Sequence, residues 1–340
     1  MPPRNPECVF GLRQPALWED SLVVVPAVYR EWLSPARPPA WLVYQAVVYL
    51  YQRLNASAPC FALNSAFESG VFLRFIVDHY NHLPAHAAFL QADWFAMRKA
   101  QPFPYTPFDL WQLGCVRRAT RPHAWTHWLP LGLRHTVWPP YQVQRVADFF
   151  GTSYTYRMLP ICSGAHGLYM ESCWREIAHL FSIPVGGGHQ SVARINLTFY
   201  PAQNFVASRW QLRRHSLQTY EKAMDQFVVR GDCVRPGTAL TVWPELRSLA
   251  SDAQLELMEA MSNRTSARPK NFDKVMVAIA LEHLMHAIFG NQPLQGAPPA
   301  ELPTRNCSSF VPAPEVHPDR VTDPLGVAWK SEKCKTTPQH

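Results

Sequence analysis

Between Leu63 and Asp93 the chain reads LNSAFESGVFLRFIVDHYNHLPAHAAFLQAD, and this stretch narrows the possible folds more than any other. Phe72, Phe75, Ile76, Tyr80 and Leu83 recur three or four residues apart, the spacing of one helical face. The run Asn81-His82-Leu83-Pro84 ends that helix, because proline cannot continue it and disfavours helical geometry at the residue before it. The short apolar run AHAAFLQ then predicts a core strand. Asp93 follows directly. In open α/β sheets ligands dock beyond the carboxyl ends of strands, so an acid at that point suits a metal or a sugar hydroxyl.

From Ser21 onward, strand-like and helix-like segments alternate. The pattern predicts an α/β fold: a single three-layer domain with a mainly parallel twisted sheet. Residues 1–20 read as an extended lead-in and 21–292 as the domain. Within it, 94–141 is rich in Pro, Trp and Arg with poor periodicity, the mark of an insertion or lid. A helix is predicted near Leu168, with Tyr169, Cys173, Trp174, Ile177 and Leu180 on one face. SVARINLTFYP reads as a strand. Ser208 is placed to cap a helix whose buried stripe is Trp210, Leu217, Tyr220, Met224 and Phe227. A last helix, about 273–289, is apolar nearly all round and should be buried. Residues 293–340 are Pro-rich, polar and aperiodic, the composition of a disordered tail.

Apolar residues make up 47% of the chain, enough for a core and against global disorder. The formal charge of +7 fits either an anionic ligand such as a nucleotide diphosphate or a solvated basic surface. Lysine and arginine are scattered, with no nucleic-acid motif beside them, so no nucleic-acid partner is expected. No apolar run is long enough to span a membrane. Eight cysteines contain no Cys-x-x-Cys pair, which argues against a metal motif and leaves disulfides open. Four Asn-x-Ser/Thr sequences, at Asn55, Asn196, Asn263 and Asn306, tilt the reading toward a secretory lumen, although the first residues show no signal-peptide pattern.

Taken together, several segments resemble an uncharacterised eukaryotic family, domain-of-unknown-function family 3431. Its pattern runs Leu-Pro-Asn-x-Gly-Arg-Glu, a helix, Tyr-x-x-Leu-Pro and Phe-Leu-Gln-Gly. Leu63, Asn64, Glu68, Tyr80, Leu83, Pro84, Phe89, Leu90 and Gln91 match it. The family's Gly-Arg is Ala66-Phe67 in this chain, and its glycine after Gln is Ala92. SLVVVPAVYREWL resembles the family's first strand and AVVYLYQR its second. AQNFVASRWQLRRHSLQTYEKAM resembles its Ala-Gln-Phe-x-Val-Ser-Arg segment, and ALEHLMHAIFG its closing helix, with Glu282, His286, Ile288, Phe289 and Gly290 matching. The resemblance covers most of the chain from about Ser21 to Gly290 but brings no activity with it. The departure at Phe67 removes an arginine; if that arginine binds an anion in the family, this chain lacks the contact.

The strand–helix–strand–acid order is in turn similar to that of metal-using, nucleotide-sugar glycosyltransferases. That likeness implies a glycosyltransferase-like activity on a small-molecule or glycan substrate, with a nucleotide sugar as donor and Mn or Mg as cofactor. Asp93 then has two readings, metal ligand or cap of the turn after the strand. Its setting is Gln-Ala-Asp rather than Asp-x-Asp. Glu68 also has two. A desolvated carboxylate can serve as general base toward an acceptor hydroxyl, whereas Ser65-Ala66-Phe67-Glu68 also fits a capping box. Glu282 and His286, four apart on an apolar helix, either pair with each other or reach a phosphate. Arg209, Arg213 and Arg214 meet an anion or form a solvated face. Asn64, Gln91 and Gln203 complete the candidate substrate-binding set. Gly186-Gly187-Gly188 fits a flexible turn better than a phosphate loop. Two further readings stand beside the transferase: a non-catalytic carbohydrate- or protein-binding module, and a hydrolase using Glu68 and Asp93 as paired carboxylates.

Overall fold

The computed structural model describes residues 5–28, 37–38, 40–91, 128–130, 134–137, 143–147, 153–157, 165–184, 197–199, 205–231, 233 and 272–290. The strands are β1 (Val9–Phe10), β2 (Leu22–Val28), β3 (Val47–Tyr49), β4 (Tyr51–Gln52), β5 (His86–Gln91), β6 (Trp128–Pro130), β7 (Arg134–Val137), β8 (Val143–Ala147), β9 (Ser153–Arg157), β10 (Leu197–Phe199) and β11 (Phe205–Ser208). The helices are α1 (Ala40–Gln45), α2 (Phe67–His79), α3 (Ala165–Leu180), α4 (Arg209–Leu212), α5 (Leu217–Ala223) and α6 (Phe272–Gly290).

The main sheet has the order β1-β3-β2-β5-β11-β6, with β4 also on β2. Strand β2 pairs in parallel with β3, β4 and β5. The flanks run the other way: β1 on β3, β11 on β5 and β6 on β11 are all antiparallel. The fold is therefore α/β as expected, but its sheet is mixed, with a parallel centre and antiparallel flanks. A second sheet, β10-β7-β8-β9, is antiparallel throughout. Within the 94–141 span, β6 joins the main sheet and β7 the second one; the other residues of that span, and the expected tail, lie outside the described residues.

Both faces of the main sheet are buried, which is why its central strands read as continuous apolar runs rather than alternating ones. Val23, Val25 and Ala27 of β2, with Ala87 and Phe89 of β5, face the core built by α2, α3 and α6. Val24, Val28, Val48, Leu50, Ala88 and Leu90 face the other way and pack with Leu42 of α1. Helix α2 buries Phe72, Phe75 and Ile76 completely, the face its periodicity predicts. Each such side chain contributes about 1.5–3 kcal/mol by leaving water. Phe72, Phe89, Phe205, Phe289 and Tyr220 then form a chain of ring contacts that ties α2, the sheet, α6 and α5 together, with centroid separations of 4.9–6.4 Å.

Pro26 sits inside β2, where a proline ordinarily breaks a ladder. The register continues from Val24 opposite Val48 to Ala27 opposite Tyr51. The partner of Pro26 on β5 is Leu90, and on the other side Pro26 falls between the β3 and β4 pairings of β2, which end at Val24 and resume at Ala27.

All four described cysteines are bridged. Cys8 joins Cys60 with a Cα–Cα distance of 5.7 Å, and Cys173 joins Cys233 at 4.8 Å, both within the ordinary disulfide range. The first clips β1 and its neighbours to the turn after β4; the second ties α3 to the segment after Val229.

Candidate functional site

Because β2, β4 and β5 are parallel, their carboxyl ends at Val28, Gln52 and Gln91 emerge on one side of the sheet, here the carboxyl edge. Antiparallel β11 begins there, with Phe205 opposite Phe89. Helix α2 connects β4 to β5, so its first turn lies at this edge and its last at the opposite, amino edge. Asn64, Glu68 and Gln91 are thereby brought to one side of the fold by topology alone.

The entry to α2 departs from its expected form. A capping box would make Ser65 the N-cap, with its hydroxyl on the first turn. Instead the N-cap is Ala66, in the left-handed region at φ 54°, with no side-chain cap. Phe67 follows at φ 45°. Two successive non-glycine residues in this region cost roughly 1–2 kcal/mol each, and such strain tends to gather at functional sites. The turn presses the Ser65 carbonyl against Gly70, where any Cβ would stand within 3.0 Å of that oxygen. Gly70 is thus needed for close approach rather than for its own dihedrals. Glu68 is half-buried in the first helical turn, where the amide dipoles favour negative charge. Asn64 is half-buried just before it.

Arg53 is a feature of this edge to which the sequence reading assigns no role. It is 5% exposed. Its Nε donates to the Val28 carbonyl and an Nη to the Ala27 carbonyl, both at 3.1 Å. A buried charge requires such partners, and here they are the last two carbonyls of β2. Arg53 thereby ties the turn after β4 to the end of β2 at the carboxyl edge. Its signal was a single arginine closing the stretch AVVYLYQR that resembles the family's second strand. Beside it, the buried Gln52 side chain shapes the following turn, accepting from the Leu54 and Asn55 amides at 2.9 Å each and donating to the Asn55 carbonyl at 2.6 Å.

Arg209 does not belong to this group. Strand β11 runs antiparallel to β5, so its far end, Ser208, lies opposite His86. The Arg209 amide donates to the Ala85 carbonyl at 2.9 Å. Its guanidinium donates to the Glu19 carbonyl and stands 3.8 Å from the Glu19 carboxylate. That is the amino edge, roughly 17 Å away along the strand at about 3.3 Å per residue. Arg213 is there too, donating to the carbonyls of Tyr80 (3.3 Å) and Asn81 (2.8 Å). These carbonyls end the helical run that starts at Phe67, where a cation is favoured. Arg209 thus pairs with Glu19, and Arg213 with the end of the helical run, both at the amino edge. Ser208 caps as expected, accepting from the Gln211 amide at 3.2 Å. Trp210 is 60% exposed rather than buried, because α4 is a single turn and the break at 213–216 separates it from the stripe of α5.

Glu282 is half-buried midway along α6, while His286 has only its backbone among the described positions. The end of α6 points to the amino edge: His215 Nε2–H donates to the Ile288 carbonyl at 2.9 Å, and the Tyr80 hydroxyl donates to the His215 carbonyl at 2.7 Å. Burial, the main cause, holds the His215 imidazole below its ordinary range despite that hydrogen bond. Asp93 and Gln203 lie outside the described residues, as does Gly186-Gly187-Gly188. The described positions nearest to them in sequence, Gln91 and Phe205, are both at the carboxyl edge. The side chain of Gln91 is likewise not described.

Another polar cluster sits under α2. The Tyr51 hydroxyl donates to Asp78 Oδ2 at 2.8 Å, and Arg74 Nε donates to the same oxygen at 2.8 Å. Burial, chiefly, pushes the Tyr49 phenol up to about 12 and Tyr51 well above its usual value. Both phenols stay protonated at neutral pH, and the hydrogen bond from Tyr51 to Asp78 ties β4 to α2.

Comparisons with family models, with curated proteins and with solved structures found no match to this chain.

Proposed function

We propose that this chain is a glycosyltransferase-like protein that takes a nucleotide-diphosphate sugar at the carboxyl edge of its sheet. The observation that carries the proposal is the shared edge: Asn64, Glu68 and the end of β5 stand on one side, with the buried Arg53 among them. This is the side on which α/β sheets take ligands. The activity itself is argued by fold-level analogy. In this reading Asp93, two residues beyond β5, helps hold Mn or Mg. Glu68 orients the acceptor or takes its proton.

The donor set suits a metal carried by the diphosphate rather than one held in an all-protein cage. Mg²⁺ keeps several waters and takes one or two carboxylates plus substrate phosphates. The kinship to family 3431 belongs to the same reading. Its pattern has glycine where Ala66 takes φ 54°, a conformation that glycine adopts without strain.

A second reading, a non-catalytic carbohydrate- or protein-binding module, is favoured by Phe67, which stands where that pattern has arginine. Calorimetry with UDP- and GDP-sugars plus Mn²⁺ separates the two. Donor binding by the wild-type chain that disappears in Asp93→Ala supports the transferase. Glycan binding without any nucleotide-sugar binding supports the module and sinks the transferase.

A further inference from the structure

The turn after β4 carries a feature that sugar transfer at the carboxyl edge does not use. Asn55-Ala56-Ser57 is one of four Asn-x-Ser/Thr sequences in the chain, and the one whose placement the structure describes. Asn55, Ala56 and Ser57 are all exposed. The Asn55 Oδ1 accepts a hydrogen bond from the Ser57 amide at 3.0 Å, an Asx turn. This bond engages the oxygen of the side-chain amide and leaves its nitrogen, Nδ2, outside it. The backbone beneath is held separately. Gln52 bonds both the amide and the carbonyl of Asn55, and the Ala58 amide donates to the same carbonyl at 3.2 Å. A large group on Nδ2 can therefore extend into water without breaking any of these bonds.

The disulfides supply an independent observation. Cys8–Cys60 and Cys173–Cys233 take up every described cysteine. Disulfides persist in oxidising compartments such as the endoplasmic-reticulum lumen, and proteins of the secretory route are the ones in which Asn-x-Ser/Thr is an acceptor for glycan. The cysteine state and the surface sequence thus point to one environment.

We infer that Asn55 is an acceptor for an N-linked glycan. The donor is an oligosaccharide carried on a lipid diphosphate. Asn55 Nδ2 attacks the anomeric carbon and forms the nitrogen–carbon bond. The bond from that carbon to the diphosphate oxygen breaks, and the lipid diphosphate leaves with its electron pair. The amide nitrogen releases one proton, and nothing is oxidised or reduced. The Ser57 hydroxyl is the element of the acceptor sequence that makes it a substrate. Asn55 follows the carboxyl end of β4, so the glycan stands at the rim of the same edge as Arg53 and Glu68.

The test is to express the full chain through the secretory pathway of a eukaryotic host. The peptide containing Asn55 is then mapped by mass spectrometry after enzymatic deglycosylation in heavy-oxygen water. In the wild-type chain and in Ser57→Thr, Asn55 is converted to labelled aspartate. In Ser57→Ala the peptide is unlabelled, and both Ser57→Ala and Asn55→Gln migrate as species with one glycan fewer. An unlabelled Asn55 in secreted wild-type protein with the Cys8–Cys60 bridge formed overturns the inference, as does a glycan that survives Ser57→Ala. Should Asn55→Gln fail to fold, the wild-type map and the two Ser57 variants still decide the matter.

Discussion

Replacing Gly70 with alanine sets two opposed effects against each other in the first turns of α2. Alanine is the better helix former by about 1 kcal/mol in a helix interior, so propensity alone predicts a more stable protein. Against this, the new Cβ would stand within 3.0 Å of the Ser65 carbonyl oxygen and 3.3 Å from Val228 Cγ1. The valine methyl can give by a few tenths of an ångström. The carbonyl is backbone, held by the left-handed pair Ala66 and Phe67, so relief requires the whole helix entry to move. Overpacking of this kind costs about 1–3 kcal/mol, and a backbone clash belongs at the upper end. The net expectation is a loss of about 2 kcal/mol, a factor of roughly 30 in the folding equilibrium. Urea unfolding measures it as a lower midpoint at unchanged slope. A Gly70→Ala chain as stable as the wild type, or more stable, would refute the close approach of Ser65 and with it the left-handed entry to α2.

Removing the Cys8–Cys60 bridge with the double substitution Cys8→Ala, Cys60→Ala frees a loop of sequence separation 52. It should lower unfolding free energy by about 4 kcal/mol on the chain-entropy scale, read as a fall in urea midpoint; an unchanged midpoint would show that the bridge does not constrain the unfolded chain. Alkaline pH should also destabilise the fold. The Tyr49 phenol is raised to about 12 by burial, against about 10 in the unfolded chain, so above pH 10 the unfolded state releases its proton first. The stability held below pH 10 is then lost as pH rises toward 12. Tyr51 and Tyr220 are shifted in the same direction by burial and add to the loss. Phenolate absorbance should rise together with unfolding, and a Tyr49→Phe chain should lose less stability across that window; free titration of all tyrosines near pH 10 in the folded protein would contradict this.

Elements whose cause is local are legible in the sequence. The face of α2 follows from the spacing of Phe72, Phe75 and Ile76, and its end from Pro84. Strands β2 and β5 follow from apolar runs long enough for a strand buried on both sides. What depends on partners distant in sequence is not legible. Nothing near Arg209 says that β11 runs antiparallel to β5, yet that direction alone moves Arg209 to the amino edge, away from Glu68. Ser65 and Glu68 carry a sound local capping pattern, and the left-handed turn at Ala66 and Phe67 overrides it. The stripe through Trp210 assumes one continuous helix, and the turn at 213–216 divides it. In the second sheet the alternation of Tyr154 and Tyr156 in β9 was an available signal. Arg53 was visible as a residue, but its burial against the last carbonyls of β2 is a fact of the third dimension.

The pairing of β5 with β11 has a consequence for how the molecule is made. The two strands are separated by roughly a hundred residues of chain, and pairings of such long separation are slow to form. On the ribosome, β2, β3 and β5 are complete well before β11 exists, so the apolar flank of β5 must wait unpaired, a hazard for aggregation. Cys8 and Cys60 both precede β5, so their bridge can secure the amino-terminal segment through β5 during that interval. The nascent protein should therefore mature in two stages, a bridged early segment that awaits a late strand, and chaperone dependence should concentrate in the gap between them.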